Sequence, residues 1–456
     1  MMVTLDRWRS LLNTPKTIVF PRLELMGRDY EPSIVVGAGE VRMETPSAFA
    51  FHLNGTPTNI EYALAEIRRL HENPYDPLAR FRLVGVDSDG IEWAGGYTSP
   101  VVNTGRPVWT FTGEIDSLST DDRSEMVSRQ ACTELIFLLR IGDPMTLAVT
   151  GIAMTDQLGG EPCRDHVMEI LGSSVRFAYE DSTGTLLITA SHSPNVPITY
   201  AENWLSEPLR IIFGQLTYPR LVARNFGDGR AFVWVRRSPG DIRGARWAGL
   251  LESGGLTQDN SVLWSLYAQL LTLIALARGE DDERNFEPHK VTRLYEEIIQ
   301  AALGSRWVWA LTFASSIEAL AKMLISKGAK PTQTKAEAEA ETEAIAAIVK
   351  HINSGPGEPW RKKIAVDAVH RTREITTIRA LRHLKTAGAI TETQLSDWNT
   401  IRHAVMHGSL ISAYSSAEDD RRLLSLAAMM HALTRELLRR SATSLVEQSP
   451  QPASTG

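Results

Sequence analysis

A chain of 456 residues exceeds one ordinary domain, so two or three are expected. Hydrophobic residues make up 43% and charged residues 22%, which excludes a disordered or fibrous chain and allows a sizeable core. The net charge of -6 singles out no partner, but it is uneven: from Pro288 onward there are 22 Lys+Arg against 17 Asp+Glu, a net of +5, which leaves -11 for the part before it. A basic C-terminal third is compatible with a nucleic-acid site. Cys132 and Cys163 are too few for a disulfide framework, form no zinc-type CxxC pair, and read as buried apolar residues. The start, MMVTLDRWRSLLNTPK, lacks an apolar run of signal-peptide length. The most apolar stretch, Leu263–Ala277, is interrupted by Ser265, Gln269 and Thr272 and falls short of the ~20 residues that span a bilayer. A soluble, cytoplasmic protein without a membrane partner is expected.

Up to about residue 250 the pattern is mostly β. FRLVGVDSDGIEWAGGYTS predicts a hairpin turning at Asp89-Gly90, and VRFAYEDSTGTLLITASHS another at Thr183-Gly184. NFGDGRAFVWVRR repeats the logic, with a Gly-Asp-Gly turn before a run rich in aromatic and β-branched residues. Turns at this spacing predict a sandwich-like or curled antiparallel sheet, interrupted by helices at Asn59–Glu72 and Asp121–Leu139. Residues 251–287 read as a connecting helix and an acidic linker, EDDERNFEP. From 288 to 445 the chain reads as successive helices: His289–Leu303, Trp307–Ser326, Lys335–Asn353, Pro359–Lys385, Glu392–Met406 and Ala417–Leu445. A glycine follows most of them, as left-handed C-caps require. A polar tail, 446–456, is expected to be disordered. The fold class is α+β, an N-terminal antiparallel β-rich domain followed by a C-terminal all-α bundle.

Three N-terminal stretches resemble sites and read better as structure. VVGAGEV lacks the third glycine and following helix of a nucleotide loop, and reads as a turn before a strand. DSDG is flanked by strands and not by the helices of a calcium loop. His192 in ASHSP has no nucleophile elbow beside it. Between Arg361 and Lys385 there are eight Lys/Arg, two His and two acids, Asp367 and Glu374. Ile364, Ala368, Ile375, Ile378 and Leu381 fall on one helical face, which leaves Arg361, Lys362, Lys363, Arg371, Arg373, Arg379 and Arg382 for phosphates or for plain solvation. The run holds no aromatic residue to stack unpaired bases.

DWNTIRHAVMHGSL, residues 397–410, carries the sharper signal. At 100° per residue His403 and His407 lie one turn apart on one face, with Arg402 at its edge. Trp398, Ile401, Val405 and Met406 fill the buried side, and Gly408 stops the helix. A helix C-terminus favours the protonated imidazole. Histidine can move protons and arginine can hold a phosphate through two parallel hydrogen bonds. RNA supplies its own 2′-hydroxyl as nucleophile, so these groups suffice for cleavage to 2′,3′-cyclic phosphate ends without metal or cofactor. The plain alternative is a basic helix end that stabilises itself. A zinc site from the histidine pair would need a third ligand, which no nearby carboxylate suggests.

Arg402-His403-x-x-x-His407, followed by Gly408, resembles the signature of the HEPN superfamily: Arg, then Asn, His or Lys, three residues, then His. WVWALTFASSIEALAKMLI resembles the early apolar helix of that helical bundle, with Glu318 directed toward the motif. The resemblance implies that Arg402 and His407 are the catalytic pair, His403 the variable second position and Glu318 an orienting group. It covers residues 288–445. A β-rich module before such a bundle resembles the Apea-like HEPN proteins of bacterial anti-phage defence. That implies an abortive-infection ribonuclease acting on RNA, with tRNA among its targets, and an N-terminal part that senses a phage-derived trigger. Arg402 and His407, five positions apart, suit a site composed across a homodimer better than a self-contained one. The alternative is a bundle serving only as a dimerisation or RNA-binding scaffold, with the N-terminal domain as the functional sensor.

Overall fold

The computed structural model describes the chain except for residues 1–3, 28–31, 74, 77–79, 106–107, 121–126, 140–164, 181, 239–248, 252–260, 280, 325–334, 372–375, 409–415 and 449–456, and the side chains of 335–339, 341, 370–371 and 443–448. The described chain divides into two compact units, Met1–Glu296 and Glu297–Gly456.

The first unit is built on one antiparallel sheet. Its strands are β1 (Lys16–Met26), β2 (Ser33–Thr45), β3 (Ala48–Pro57), β4 (Phe81–Val86), β5 (Glu92–Thr98), β6 (Val101–Asn103) and β7 (Trp109–Glu114). They continue with β8 (Ser117–Thr120), β9 (Cys132–Leu138), β10 (Asp165–Ile170), β11 (Ser173–Glu180), β12 (Thr185–Ser191), β13 (Leu221–Asn225) and β14 (Ala231–Arg236). The spatial order is β10-β11-β12-β9-β13-β14-β8-β5-β4-β1-β2-β3-β7-β6. The antiparallel expectation holds, with the strands hydrogen-bonded into one sheet and not into the two of a sandwich. Hairpins turn where the sequence places them, with left-handed glycines at Gly90, Gly184, Gly227 and Gly229. In the first, Asp87 Oδ1 accepts from the backbone N–H groups of Asp89 and Ile91, each at 2.9 Å. Leu5 and Leu11 of a 3-10 helix, Thr4–Leu12, pack with Phe20, Leu23, Phe51, Leu53 and Phe111 of the sheet in one apolar cluster.

Two N-terminal expectations are corrected. The helix expected over Asp121–Leu139 is strand β9 at its described C-terminal end, and 121–126 lie outside the described residues. CTELIFL is buried along nearly its whole length and paired on both edges, by β12 and β13, which suits a central strand. The expected turn at Gly37–Gly39 is the interior of β2. There Gly37 faces Gly55 across the ladder, and a Cβ on Gly37 would stand 2.0 Å from the Asn54 carbonyl oxygen. Glycine is required by that close approach of strands and not by a turn.

Helix α1 (Ile60–Glu72) forms as expected, with the Asn59 side chain accepting from Tyr62 N at 3.0 Å as N-cap. The sequence pattern did not reveal α2 (Ala201–Phe213), buried along almost its entire length despite Glu202, Glu207 and Arg210. Each charge has a partner: Glu202 pairs with Arg224, Arg210 Nε lies 2.6 Å from Glu296, and Glu207 accepts from Thr292 Oγ1 at 2.6 Å. Burial is tolerable for charges only when they are so paired. Helix α3 (Ser261–Ala275) runs beside α2, where Tyr267 donates to the Leu205 carbonyl at 2.8 Å. Helix α4 (Lys290–Ala301) carries the division between the units.

The second unit is helical in its described part: α5 (Arg306–Leu324), α6 (Lys335–Ser354), α7 (Pro359–Arg371), α8 (Thr377–Thr386), α9 (Glu392–Met406) and α10 (Ala417–Gln448). Helix α5 packs against α8, α9 and α10, while α6 and α7 pack as a hairpin. The single helix expected over Pro359–Lys385 is two. Thr376 leaves the helical region at ψ 152 and caps α8 by accepting from Arg379 N. No helix among the described residues is long and apolar enough to cross a membrane. The architecture is therefore α+β, with helices gathered toward the C-terminus.

Candidate active site

Helix α9 begins at a capping box, in which Thr391 accepts from Gln394 N and Gln394 Oε1 accepts from Thr391 N. Its buried side is Leu395, Asp397, Trp398, Ile401 and Val405, the spacing of one helical stripe. Trp398 is nearly inaccessible and donates from Nε1 to the Ala314 carbonyl of α5 at 3.2 Å. Asp397 receives both Arg421 Nη atoms at 3.0 Å, which ties α9 to α10. Met406, expected on the buried side, is 66% exposed because it falls past the edge of the stripe. These anchors tie α9 to α5 and α10 and leave its C-terminal end exposed.

That end carries the expected residues. Arg402, His403 and His407 are all exposed. The guanidinium of Arg402 stands 5.6 Å from the Trp398 ring centre, and its Nε is 3.5 Å from Glu318 Oε2. Glu318 comes from the middle of α5, so two helices meet at this ion pair. Its other oxygen accepts from Thr377 Oγ1 of α8 at 3.0 Å and faces Lys322 Nζ at 3.1 Å. Partial burial pushes the Glu318 carboxyl up, but hydrogen bonds from Lys322 and Thr377 and the charges of Lys322 and Arg402 outweigh it and hold the group below its usual value. Glu318 is thus a carboxylate at neutral pH. Lys322, one turn along α5, was legible in the i,i+4 spacing; Thr377 carried no sequence signal.

The two imidazoles stand together, ring centres 4.2 Å apart and planes at 48°. His407 is the C-cap, its backbone N–H bonded to the His403 carbonyl at 3.0 Å, and Gly408 takes the left-handed φ of 72° that ends the helix. Arg402 and His407 are set about 140° apart around the helix axis by their spacing. The end of α9 therefore presents two groupings: a carboxylate-held guanidinium on one side and a histidine pair on another.

The expected RNA-facing residues are distributed over two helices. Arg361, Lys362 and Lys363 sit in the first turn of α7, where Lys362 Nζ donates to the Asn353 carbonyl at 2.9 Å. Arg379 and Arg382 are exposed on α8, whose Thr377 reaches Glu318. The side chain of Arg371, and Arg373 altogether, lie outside the described residues. Among the described residues no group of three His, Cys, Asp or Glu side chains converges as a metal site. Cys132 is buried in β9; burial, with the charge of Glu134 and a hydrogen bond to it, pushes the thiol up to about 12. Cys163 lies outside the described residues.

No known family model, curated protein or solved structure matches the chain.

Proposed function

We propose that the C-terminal unit is a HEPN-type endoribonuclease that needs no metal, with Arg402 and His407 as its catalytic residues. The observation that supports this best is the end of α9, where a guanidinium held by the Glu318 carboxylate and a pair of imidazoles share one exposed helix terminus. In this reading the RNA 2′-oxygen forms a bond to the adjacent phosphorus as the bond to the 5′-oxygen breaks. His407 accepts the 2′ proton, and the leaving 5′-oxygen takes a proton from the protonated partner imidazole, His403. Arg402 pairs with the non-bridging oxygens and stabilises their developing charge. Glu318 is a positioning residue. The angular separation of Arg402 and His407 favours a site composed from two copies of the chain in a homodimer. In the cell the protein would act in the cytoplasm as an abortive-infection effector on RNA, tRNA included, released by a phage-derived trigger at the β-rich unit.

One observation favours a second reading, a non-catalytic dimerisation or RNA-binding bundle with the first unit as sensor: Arg402 already faces a carboxylate, which offsets the charge a phosphate would need. Cleavage of bulk RNA and tRNA in EDTA, by wild type against Arg402→Ala and His407→Ala, decides between them. Activity in EDTA that falls by roughly a hundredfold or more in both variants, with 2′,3′-cyclic phosphate ends, is expected. Activity that survives both substitutions removes the site assignment, and activity lost in EDTA removes the metal-free mechanism. A strictly monomeric active state by light scattering would remove the composite site.

A further inference from the structure

The hairpin of α6 and α7 keeps unusual apolar surface in solvent. Trp360 is 58% exposed, and Ile364, one turn further along the same helix, is 61% exposed. Ile348 on α6 is 48% exposed. A scattered surface leucine needs no explanation, but a tryptophan and an isoleucine side by side on one helix do. Their surroundings are basic. Trp360 directly precedes Arg361, Lys362 and Lys363, and the Arg361 guanidinium stands 5.1 Å from its ring centre. Lys350 lies four residues before the end of α6, the end that Lys362 clasps through the Asn353 carbonyl. Glu358 and, nine residues on, Asp367 are the acids on this stretch.

We propose that Trp360 is the stacking platform of a site for unpaired RNA, with the neighbouring Arg361 and Lys363 holding the backbone of the stacked nucleotide. This rests on the ribonuclease reading for its substrate and adds a selectivity that the α9 site does not supply. Base stacking on an exposed aromatic ring needs a free base face, which a loop or a single strand offers and a duplex hides. A guanidinium already over the ring is placed for the adjoining phosphate. A protein partner fits less well, since lysine is depleted from the cores of protein interfaces and here flanks the ring on the same helix. The basic run is thus completed by an aromatic residue one position before it begins.

The test uses the full chain carrying His407→Ala, so that binding is read without cleavage. Fluorescence anisotropy would follow a labelled twelve-nucleotide oligoadenylate and a labelled RNA duplex of equal length. Trp360→Ala is expected to weaken the single strand about tenfold and the duplex less than about twofold, while Trp360→Phe keeps most of the single-strand affinity. Arg361→Ala with Lys363→Ala should weaken both ligands and lower the salt dependence of both. Equal loss on both ligands with Trp360→Ala, or none, overturns the proposal. So does a Trp360→Ala chain that binds RNA normally but changes oligomeric state, which would assign the face to protein contact. Selective loss at Trp360 with no RNA cleavage by the parent chain would uphold this site and remove the ribonuclease reading. Cleavage that depends on Arg402 and His407 but ignores Trp360 would do the reverse.

Discussion

At Arg402 the deciding neighbour is Glu318. An ion pair at 3.5 Å between side chains 45% and 28% exposed contributes only about 0–1 kcal/mol to stability, so its role is orientation and charge. Thr377 and Lys322 fix the carboxylate from two further directions, so that Arg402 meets a positioned group and not a freely rotating one. Glu318→Gln keeps the shape and can keep the hydrogen bond to Thr377, while removing the charge. Under the ribonuclease reading, RNA binding then tightens because Arg402 loses a competing anion, and turnover falls about tenfold or more because the guanidinium is no longer aimed. A joint fall of KM and kcat is the measurement, since a residue that merely stabilised the fold would not produce it. Unchanged kcat would mean that Glu318 neutralises Arg402 without positioning it.

Helices show where sequence periodicity is enough and where it is not. Glu392–Met406 was legible to the residue, because Thr391 and Gln394 announce its start and Gly408 its end, both through local hydrogen bonding. Glu318 was legible as a polar position in an apolar helix and Lys322 by its i,i+4 spacing from it, but the partner Thr377 depends on how α5 and α8 meet. Asp397 and Arg421, 24 positions apart, join α9 to α10 without any local pattern to betray them. The apolar stripe drawn through Arg361–Lys385 assumed one helix, and the Thr376 cap divides it. Leu381 is fully buried, whereas Ile364 is exposed. Ile364→Lys should therefore change stability by less than about 0.5 kcal/mol, while Leu381→Ala should cost about 2–5 kcal/mol. Denaturant melts of the two variants test the division directly; a large loss from Ile364→Lys would restore the continuous buried face. Helix α2 escaped for a related reason. Its buried Glu202, Glu207 and Arg210 mimic a solvent face until Arg224, Thr292 and Glu296 are seen opposite them.

The two units should respond to acid differently. In the second, Asp397 is held below its usual value: burial pushes it up, but hydrogen bonds from Arg421 and Ser425 prevail. Glu436 is brought down to about 2, first by Arg439 and then by Arg440 against the opposing effect of burial. Depressed carboxyls contribute stability that is present above their ordinary values and lost as pH falls through the folded ones, so the contribution of these two is lost below about pH 4.5. In the first unit His289, just before α4, is brought from 6.5 to about 4 by burial, and its Nδ1 accepts from Val291 N at 3.2 Å. Its stability is full above 6.5 and drains as pH falls toward about 4. The loss by pH 5 amounts to roughly 2 kcal/mol. Glu207, whose Oε2 accepts the backbone N–H of His289 at 3.0 Å, acts in the opposite sense. Burial raises its carboxyl, despite the hydrogen bonds from Thr292 and His289 and the charge of Arg210, so its contribution is full in acid and lost as pH rises through the raised value. Because Glu207 is common to both proteins, comparing wild type with His289→Asn isolates the histidine. Asparagine can accept the same Val291 N–H and does not titrate. Calorimetry at pH 7 and pH 5 should show the first unit's transition falling by a few degrees in wild type, and by clearly less in His289→Asn. Equal shifts in the two proteins would mean that groups other than His289 set the acid response of the sheet unit.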